Sequence, residues 1–329
     1  MKISILGGGA WGVTLAQVLD DNHHEVLVYD VKLEMVNSIN NHQHPFFKNV
    51  LAPSITATTN LAIAKEHSEI LVICVPTKAT ESLLKSLLPL SRAYVFINVS
   101  KGINPDNFLS VGEQVKALIP KENLQGYVNL TGPSHAEEVI ERKLTLLVAS
   151  SKNQRLAKMT QSLFTNNTYL RVYTSKDVIG SEVCASAKNA MAVIAGILGG
   201  MPSMGENARA ALITRGLKEL LVIIKVLGGK KKTVYGLTGI GDLIVTATSY
   251  NSRNYRCGLS IAKGMSLDEI FQQEKQTIEG VRSIEALHRL SINHDVELPI
   301  ISVAYAMLFE GKDKNQCIKE LLMRALKDE

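Results

Sequence analysis

The sequence predicts a doubly wound α/β sheet domain followed by an all-helical domain. Three observations carry that expectation. Strand and helix signals alternate through the first half, a glycine pattern stands at the first strand-to-helix turn, and strands become scarce beyond about Asp177. At 329 residues, two cores are expected rather than one.

Strand candidates are 3–6, 26–29, 70–75, 93–99, 127–130 and 144–149. Several are continuous apolar runs, as expected for parallel strands covered on both faces. Helix candidates 13–19, 61–65, 80–88, 111–118 and 135–140 lie between them. The second half reads as helices over 185–198, 208–226, 260–263, 267–273, 283–292 and 300–308. Ser266 and Asn315 read as helix caps, and Gly311 follows a helix end. The domain boundary is placed near Lys188, at the start of the long apolar helix, which divides the chain into 1–187 and 188–329. The long helices of the second half could pack within one chain or across a homodimer.

Composition narrows the function classes. The chain is 46% hydrophobic and 20% charged, ordinary for a globular protein. Cys74, Cys184, Cys257 and Cys317 are scattered, without a C-x-x-C pair. That argues against structural zinc and a disulfide framework, and for a reducing, cytoplasmic setting. The start, Met1-Lys2-Ile3, runs directly into a strand and leaves no room for a signal peptide. The longest apolar run, 190–201, is too short and too glycine-rich for a membrane span. A formal charge of +5 without a basic, aromatic stripe gives no support to nucleic-acid binding, and Lys230-Lys231-Lys232 reads as a solvated turn. The mild positive balance suits anionic small molecules. No metal-ligand spacing appears.

The glycine pattern is Gly7-x-Gly9-x-x-Gly12, directly after strand 3–6 and before helix 13–19. In that context it is a Rossmann-like dinucleotide fingerprint. Gly7 turns the chain, Gly9 admits a pyrophosphate close to the backbone, and Gly12 lets helix and strand pack tightly. The helix N-terminus then presents free N–H groups and a positive dipole end. Asp30 ends the second strand, where a carboxylate accepts from a ribose 2′-OH and favours NAD over NADP. Lys32 points the other way, since it could pair with a 2′-phosphate.

Ligands of open α/β sheets bind beyond the carboxyl ends of the strands. There the sequence places Pro76-Thr77, Ser100-Lys101-Gly102 and Gly132-Pro133-Ser134. The helical half adds a second polar set. Lys188-Asn189 interrupts a small, apolar helix, where the lysine is either buried for a reason or snorkels outward. Burial would lower its pKa and suit it to proton transfer. Asp242 and Thr246 share a helix face at i, i+4, and Asp242 either caps that helix or acts on a ligand. Ser252-Arg253-Asn254 stands near another helix start, and arginine offers a fork of donors matched to phosphate.

With these pieces in order, the chain resembles the bacterial NAD(P)-dependent glycerol-3-phosphate dehydrogenases from Gly7 to Glu329. The resemblance rests on Gly7-Gly-Gly-Ala-Trp-Gly12, Ser100-Lys-Gly102, Gly132-Pro-Ser134, Lys188-Asn189, Asn207-Ala-Arg-Ala-Ala-Leu-Ile-Thr-Arg-Gly216, Gly239-Ile-Gly-Asp-Leu243, Ser252-Arg-Asn254 and Glu279-Gly280. It implies reversible reduction of dihydroxyacetone phosphate to sn-glycerol 3-phosphate, which supplies the glycerol phosphate of phospholipids. By resemblance, Lys188 donates the proton, with Lys101 and Asp242 beside it. The expected substrate set is Lys101, Gly132, Ser134, Lys188, Asn189, Asp242, Thr246, Ser252, Arg253 and Asn254. The expected NAD or NADP set is Gly7, Gly9, Ala10, Trp11, Gly12, Asp30, Lys101, Ala136, Arg253 and Glu279. The chain departs from the family pattern at Asp30-Val31-Lys32, where a cation often follows the second strand. It departs also over 199–206 and at Cys184-Ala-Ser-Ala, which replaces a glycine pair.

Overall fold

Strand and helix alternate from the first residues of the computed structural model, which describes residues 1–104, 107, 109–274, 278–326 and 328. β1 (Lys2–Leu6) turns into α1 (Ala10–Asp21), and β2 (Glu25–Tyr29), α2 (Leu33–Asn40), β3 (Thr56–Thr58) and α3 (Leu61–His67) follow. Next come β4 (Ile70–Ile73), α4 (Thr77–Ser86), β5 (Tyr94–Asn98), α5 (Val111–Leu118), β6 (Leu124–Thr131) and α6 (Ala136–Ile140). β7 (Thr145–Ser150), α7 (Gln154–Phe164) and β8 (Leu170–Ser175) complete the sheet. Its order is β3-β2-β1-β4-β5-β6-β7-β8. Every pairing is parallel except β6 with β7. The order reverses between β1 and β4, so a crevice opens beyond their carboxyl ends.

Alternation along each strand explains the layers. Ile5, Val28 and Val72 pack with α1 and α7 on one face. Leu6, Leu27 and Ile73 pack with α3, α4 and α5 on the other. Period-two side chains buried on both sides leave no polar face, so these strands read as unbroken apolar runs.

The helical half is built on α8 (Val178–Gly199). Around it lie α9 (Glu206–Val226), α10 (Lys231–Val234), α11 (Asp242–Thr248), α12 (Arg253–Ala262), α13 (Leu267–Gln273), α14 (Gly280–Asn293), α15 (Pro299–Phe309) and α16 (Lys314–Leu322). α8 packs against α9, α11, α12 and α14. By length and hydropathy α8 could cross a membrane, but 94% of the relevant window is buried inside this protein. Glu182 and Lys188 lie within it.

Several elements differ from the sequence reading. β3 and β8 were not expected. β3 is short and polar, and β8 alternates buried Leu170 and Val172 with exposed Arg171 and Tyr173, the habit of an edge strand. α2 and α7 were also unread. α8 starts at Val178, ahead of the expected 185, so residue 188 stands mid-helix and a cut at 187/188 would divide one helix. α12 starts at Arg253, ahead of the expected 260. Asn315 does not cap α16. That role belongs to Asp313, whose carboxylate accepts from the N–H groups of Asn315 and Gln316. Ser266 caps α13 in a reciprocal box with Glu269. Gly311 follows α15 with φ of +71°, the left-handed turn glycine permits.

Asp177, the N-cap of α8, ties the start of that helix to the start of α10. Its carboxylate accepts from Gly180 N at 3.0 Å in the first turn of α8, and from Lys230 N at 2.8 Å and Thr233 Oγ1 at 2.5 Å. Asp177→Ala removes a helix cap and strands a part-buried N–H. The expected loss is about 2–4 kcal/mol from the helical half. Chemical denaturation followed by circular dichroism checks this, and a loss below about 0.5 kcal/mol would contradict it.

Candidate active site

A cleft of about 1090 Å³ opens beyond the carboxyl ends of β1, β4 and β5 and runs between the sheet and the helical half. The glycine turn forms one end. Gly7 has φ of +123°, and a Cβ there would strike the Cys74 carbonyl. Gly9 differs, because a Cβ there would meet nothing within 4 Å. No described neighbour explains its lack of a side chain, whereas a phosphate laid on the N-terminus of α1 would. Trp11, beside it, has a buried Nε1–H without a partner among the described residues. An open glycine cradle and an unused donor at a helix N-terminus fit a dinucleotide.

Asp30 closes the rim at the end of β2. Its carboxylate accepts from Gly8 N at 2.7 Å and from Lys32 N at 2.9 Å. Lys32 is thus tied to Asp30 through its backbone, while its side chain borders the cleft. Across the cleft, Glu279 accepts from Thr77 Oγ1 at 3.0 Å and from Thr77 N at 3.3 Å. This contact links the start of α4 to the residue before α14. Burial raises the pKa of Glu279, and the bonds from Thr77 oppose that rise.

At the floor lies a buried ionic cluster. Lys188 Nζ donates to Asp242 Oδ1 at 2.6 Å and to Thr246 Oγ1 at 2.9 Å. Lys101 Nζ donates to Asp242 Oδ2 at 3.3 Å and to the Gly132 carbonyl at 3.2 Å. One carboxylate therefore bridges two ammonium groups, one from the sheet half and one from the helical half. The side chain of Asp242 is 1% exposed, that of Lys188 5% and that of Lys101 18%. Asp242 opens α11 without capping it, so its charge serves the lysines. Burial pushes the Lys188 pKa down to about 7, Asp242 opposes that fall, and Lys101 adds to it. Lys188 can therefore gain or lose a proton near neutral pH.

Neighbouring polar groups hold the cluster in place. Asn189 Nδ2 donates to the Lys101 carbonyl at 3.3 Å, and Asn189 Oδ1 accepts from Asn254 Nδ2 at 3.1 Å. Asn254 Oδ1 accepts from Gly280 N at 2.9 Å. Asn254 thus ties α8 to α14. Ser252 Oγ caps α12 by accepting from Tyr255 N, and Arg253 follows in the first helical turn. Ser134 Oγ donates to the Gly132 carbonyl at 3.1 Å, and Ala136 opens α6.

The cleft is lined by Gly7, Gly9, Ala10, Trp11, Asp30, Lys101, Ser134, Ala136, Lys188, Asn189, Asp242, Thr246, Ser252, Arg253, Asn254 and Glu279. Gly12 and Gly132 of the expected set do not line it. Gly12 packs behind the turn against Gly7, and Gly132 contributes its carbonyl to Lys101. The sequence reading missed His135. Its Nε2 lies 3.3 Å from the Val245 carbonyl, and burial, with the two lysines, holds its pKa below the usual range. Its position just past the end of β6 was the available signal. Met35, Phe46 and Leu83 add apolar lining to the cleft that no motif announces.

Comparison with known proteins settles the family. The model for the NAD-dependent glycerol-3-phosphate dehydrogenase N-terminus matches residues 2–157, and the model for the C-terminus matches 177–319. Glycerol-3-phosphate dehydrogenase [NAD(P)+] of Acholeplasma laidlawii is 50% identical over 100% of this chain and 99% of its own. The chain belongs to the NAD-dependent glycerol-3-phosphate dehydrogenase family. As a member it is an NAD(P)-dependent oxidoreductase. The Bacillus subtilis relative of the same name is 41% identical over 98% of this chain and 94% of its own. The solved glycerol-3-phosphate dehydrogenase of Coxiella burnetii superposes with a TM-score of 0.92 at 33% identity, covering 98% of this chain and 99% of that one. D-mandelate dehydrogenase, at 15% identity and a TM-score of 0.61 over 98% of this chain and 100% of that one, shares the fold alone.

The cluster yields a paired prediction. Asp242→Asn removes the charge that holds Lys188 protonated, so the Lys188 pKa falls below about 7. Lys101→Met removes a like charge, so that pKa rises. Titration of the lysine Cε resonances by NMR reads both shifts, and shifts of the same sign would contradict the account.

Proposed function

We propose that this chain catalyses the reversible reduction of dihydroxyacetone phosphate to sn-glycerol 3-phosphate, with Lys188 as the acid in reduction and the base in oxidation. The observation that carries the reading is the Lys188–Asp242–Lys101 cluster at the floor of a cleft whose rim is the glycine turn. The residues ahead of α8 form the dinucleotide half, and those from α8 onward supply the acid and the phosphate site. Gly7, Gly9, Ala10 and Trp11 would receive the pyrophosphate region, and Asp30 the ribose. Lys101, Ala136, Arg253 and Glu279 would border the rest of the dinucleotide. Bound there, the reduced dinucleotide supplies a hydride to the ketone carbon.

Negative charge grows on the ketone oxygen as it is reduced. Lys188 Nζ meets that charge with a hydrogen bond and then with its proton. Asp242 and Thr246 fix the direction of Nζ, so little reorganisation is needed when the proton moves. Lys101 adds a second positive charge beside the same oxygen. When both lysines are protonated, the cluster carries net +1, which suits a developing anion. Arg253, at the N-terminus of α12 with Ser252 and Asn254, would take the phosphate. Holding that remote group keeps the ketone in register with Lys188.

The free state of all four cysteines fits a reducing compartment, and we place the enzyme in the cytoplasm. Its product would supply the glycerol phosphate of phospholipids.

Lys188→Met should lower kcat by about 10²–10⁴-fold while the dissociation constant for the dinucleotide stays within about threefold. Nicotinamide absorbance and fluorescence titration read the two quantities. In the wild type, reduction needs the Lys188 ammonium, so its kcat declines as pH rises through about 7, while oxidation needs the neutral amine and its kcat increases over the same range. Pre-steady-state rates in both directions check the signs, and parallel profiles would overturn the role of Lys188. Arg253→Ala should raise KM for dihydroxyacetone phosphate about 10- to 100-fold. An unchanged KM would remove Arg253 from the phosphate site.

A further inference from the structure

Lys101 is held loosely at its tip. Its two Nζ bonds measure 3.2 and 3.3 Å, at or beyond the long end of the usual range, and its side chain is the most exposed of the cluster. Its position therefore depends on the backbone that carries it. That backbone is anchored by a chain of buried side chains. Asn98 Oδ1 accepts from Ser100 N, and Asn98 Nδ2 donates to the Ser100 carbonyl, both at 3.0 Å. Asn98 Nδ2 also donates to Asn129 Oδ1 at 2.8 Å. Asn129 Nδ2 donates to Ser181 Oγ at 2.8 Å, in the first turns of α8. Ser100 immediately precedes Lys101.

The same helix also holds the start of α5. Glu182 Oε1 accepts from Gly112 N at 2.8 Å in the first turn of α5, and from Tyr127 OH at 2.6 Å. Asn98, Asn129 and Ser181 are each 1% exposed or less. Asn98 and Asn129 face each other across β5 and β6, where a sheet covered by helices ordinarily holds aliphatic residues. Burying two amides there is costly unless every bond is made. The strand ladder does not need them, whereas the Ser100 backbone does.

The spacing on α8 is informative. Ser181 and Glu182 precede Lys188 and Asn189 by seven residues, two helical turns on one face and about 10.5 Å along the axis. Lys188 shares Asp242 with Lys101, and Asn189 bonds the Lys101 carbonyl. One rigid helix therefore sets both the anchorage of the Lys101 segment and the groups it must meet.

We infer that Asn98, Asn129 and Ser181 are positioning residues that fix the Lys101 ammonium against Asp242. This rests on the proposed role of Lys101 in the reaction. The test is a double-mutant cycle on the full chain, reading kcat/KM for dihydroxyacetone phosphate. Lys101→Met alone checks the underlying reading, and near-wild-type activity there would overturn both. Given a loss there, Asn98→Ala should cost about 10- to 100-fold in the wild-type background. It should cost less than about twofold when Lys101 is already methionine. Asn98→Ala should also move the pH limb of kcat upward, as Lys101→Met does, because a like charge has left Lys188. Equal losses in both backgrounds, with an unmoved pH limb, would make Asn98 merely structural and overturn the inference. If Asn98→Ala fails to fold, Ser181→Ala removes only the terminal acceptor of the chain and must show the same dependence on Lys101.

Discussion

The whole site depends on one buried carboxylate shared by two ammonium groups. Asp242 is almost fully enclosed, and its two oxygens receive Lys188 from α8 and Lys101 from the turn after β5. Removing three charges from water is expensive, and the arrangement survives only because each charge is paired and hydrogen-bonded. That constraint also couples the two halves of the chain. Lys101 belongs to the sheet and Asp242 to the helices, so the cluster exists only when both are docked. Its chemical product is a lysine whose proton is movable near neutral pH, next to a second positive charge. Neither lysine alone would combine those properties.

α8 is the element on which this is built. Asp177 caps it and fastens the turn leading into α10. Ser181 ends the chain of side chains that anchors Ser100, Glu182 holds the start of α5, Lys188 shares Asp242 with Lys101, and Asn189 bonds the Lys101 carbonyl. The helix is buried along nearly its full length, which suppresses the small rotations that would misalign groups two turns apart. A further bridge between the halves, Glu279 to Thr77, packs against Gly102, the residue after Lys101.

Much of the fold was legible because its signals are local. The glycine turn declares itself by spacing, and the parallel strands by unbroken apolar runs. β3 and β8 escaped because edge strands are short or polar on one side, and these carry neither signal. The beginning of α8 escaped because the apolar pattern was followed only from residue 185, whereas Gly180, Ser181 and Glu182 ahead of it are small or polar, although all three are buried. At the site, residue types and helix faces pointed to Lys188, Asp242 and Thr246. The bridge from Asp242 to Lys101 spans 141 residues and has no local signature. Asn98 and Asn129 lay inside apolar runs and passed as strand residues. Their meaning appears only once β5 and β6 stand side by side.

The most direct measurement is a crystal structure of the ternary complex with a nonreactive dinucleotide and dihydroxyacetone phosphate. The account predicts Lys188 Nζ about 3 Å from the ketone oxygen, still bonded to Asp242, with the phosphate on Arg253. A ketone oxygen bonded instead to His135 or to solvent, with Lys188 directed away from it, would contradict the central claim.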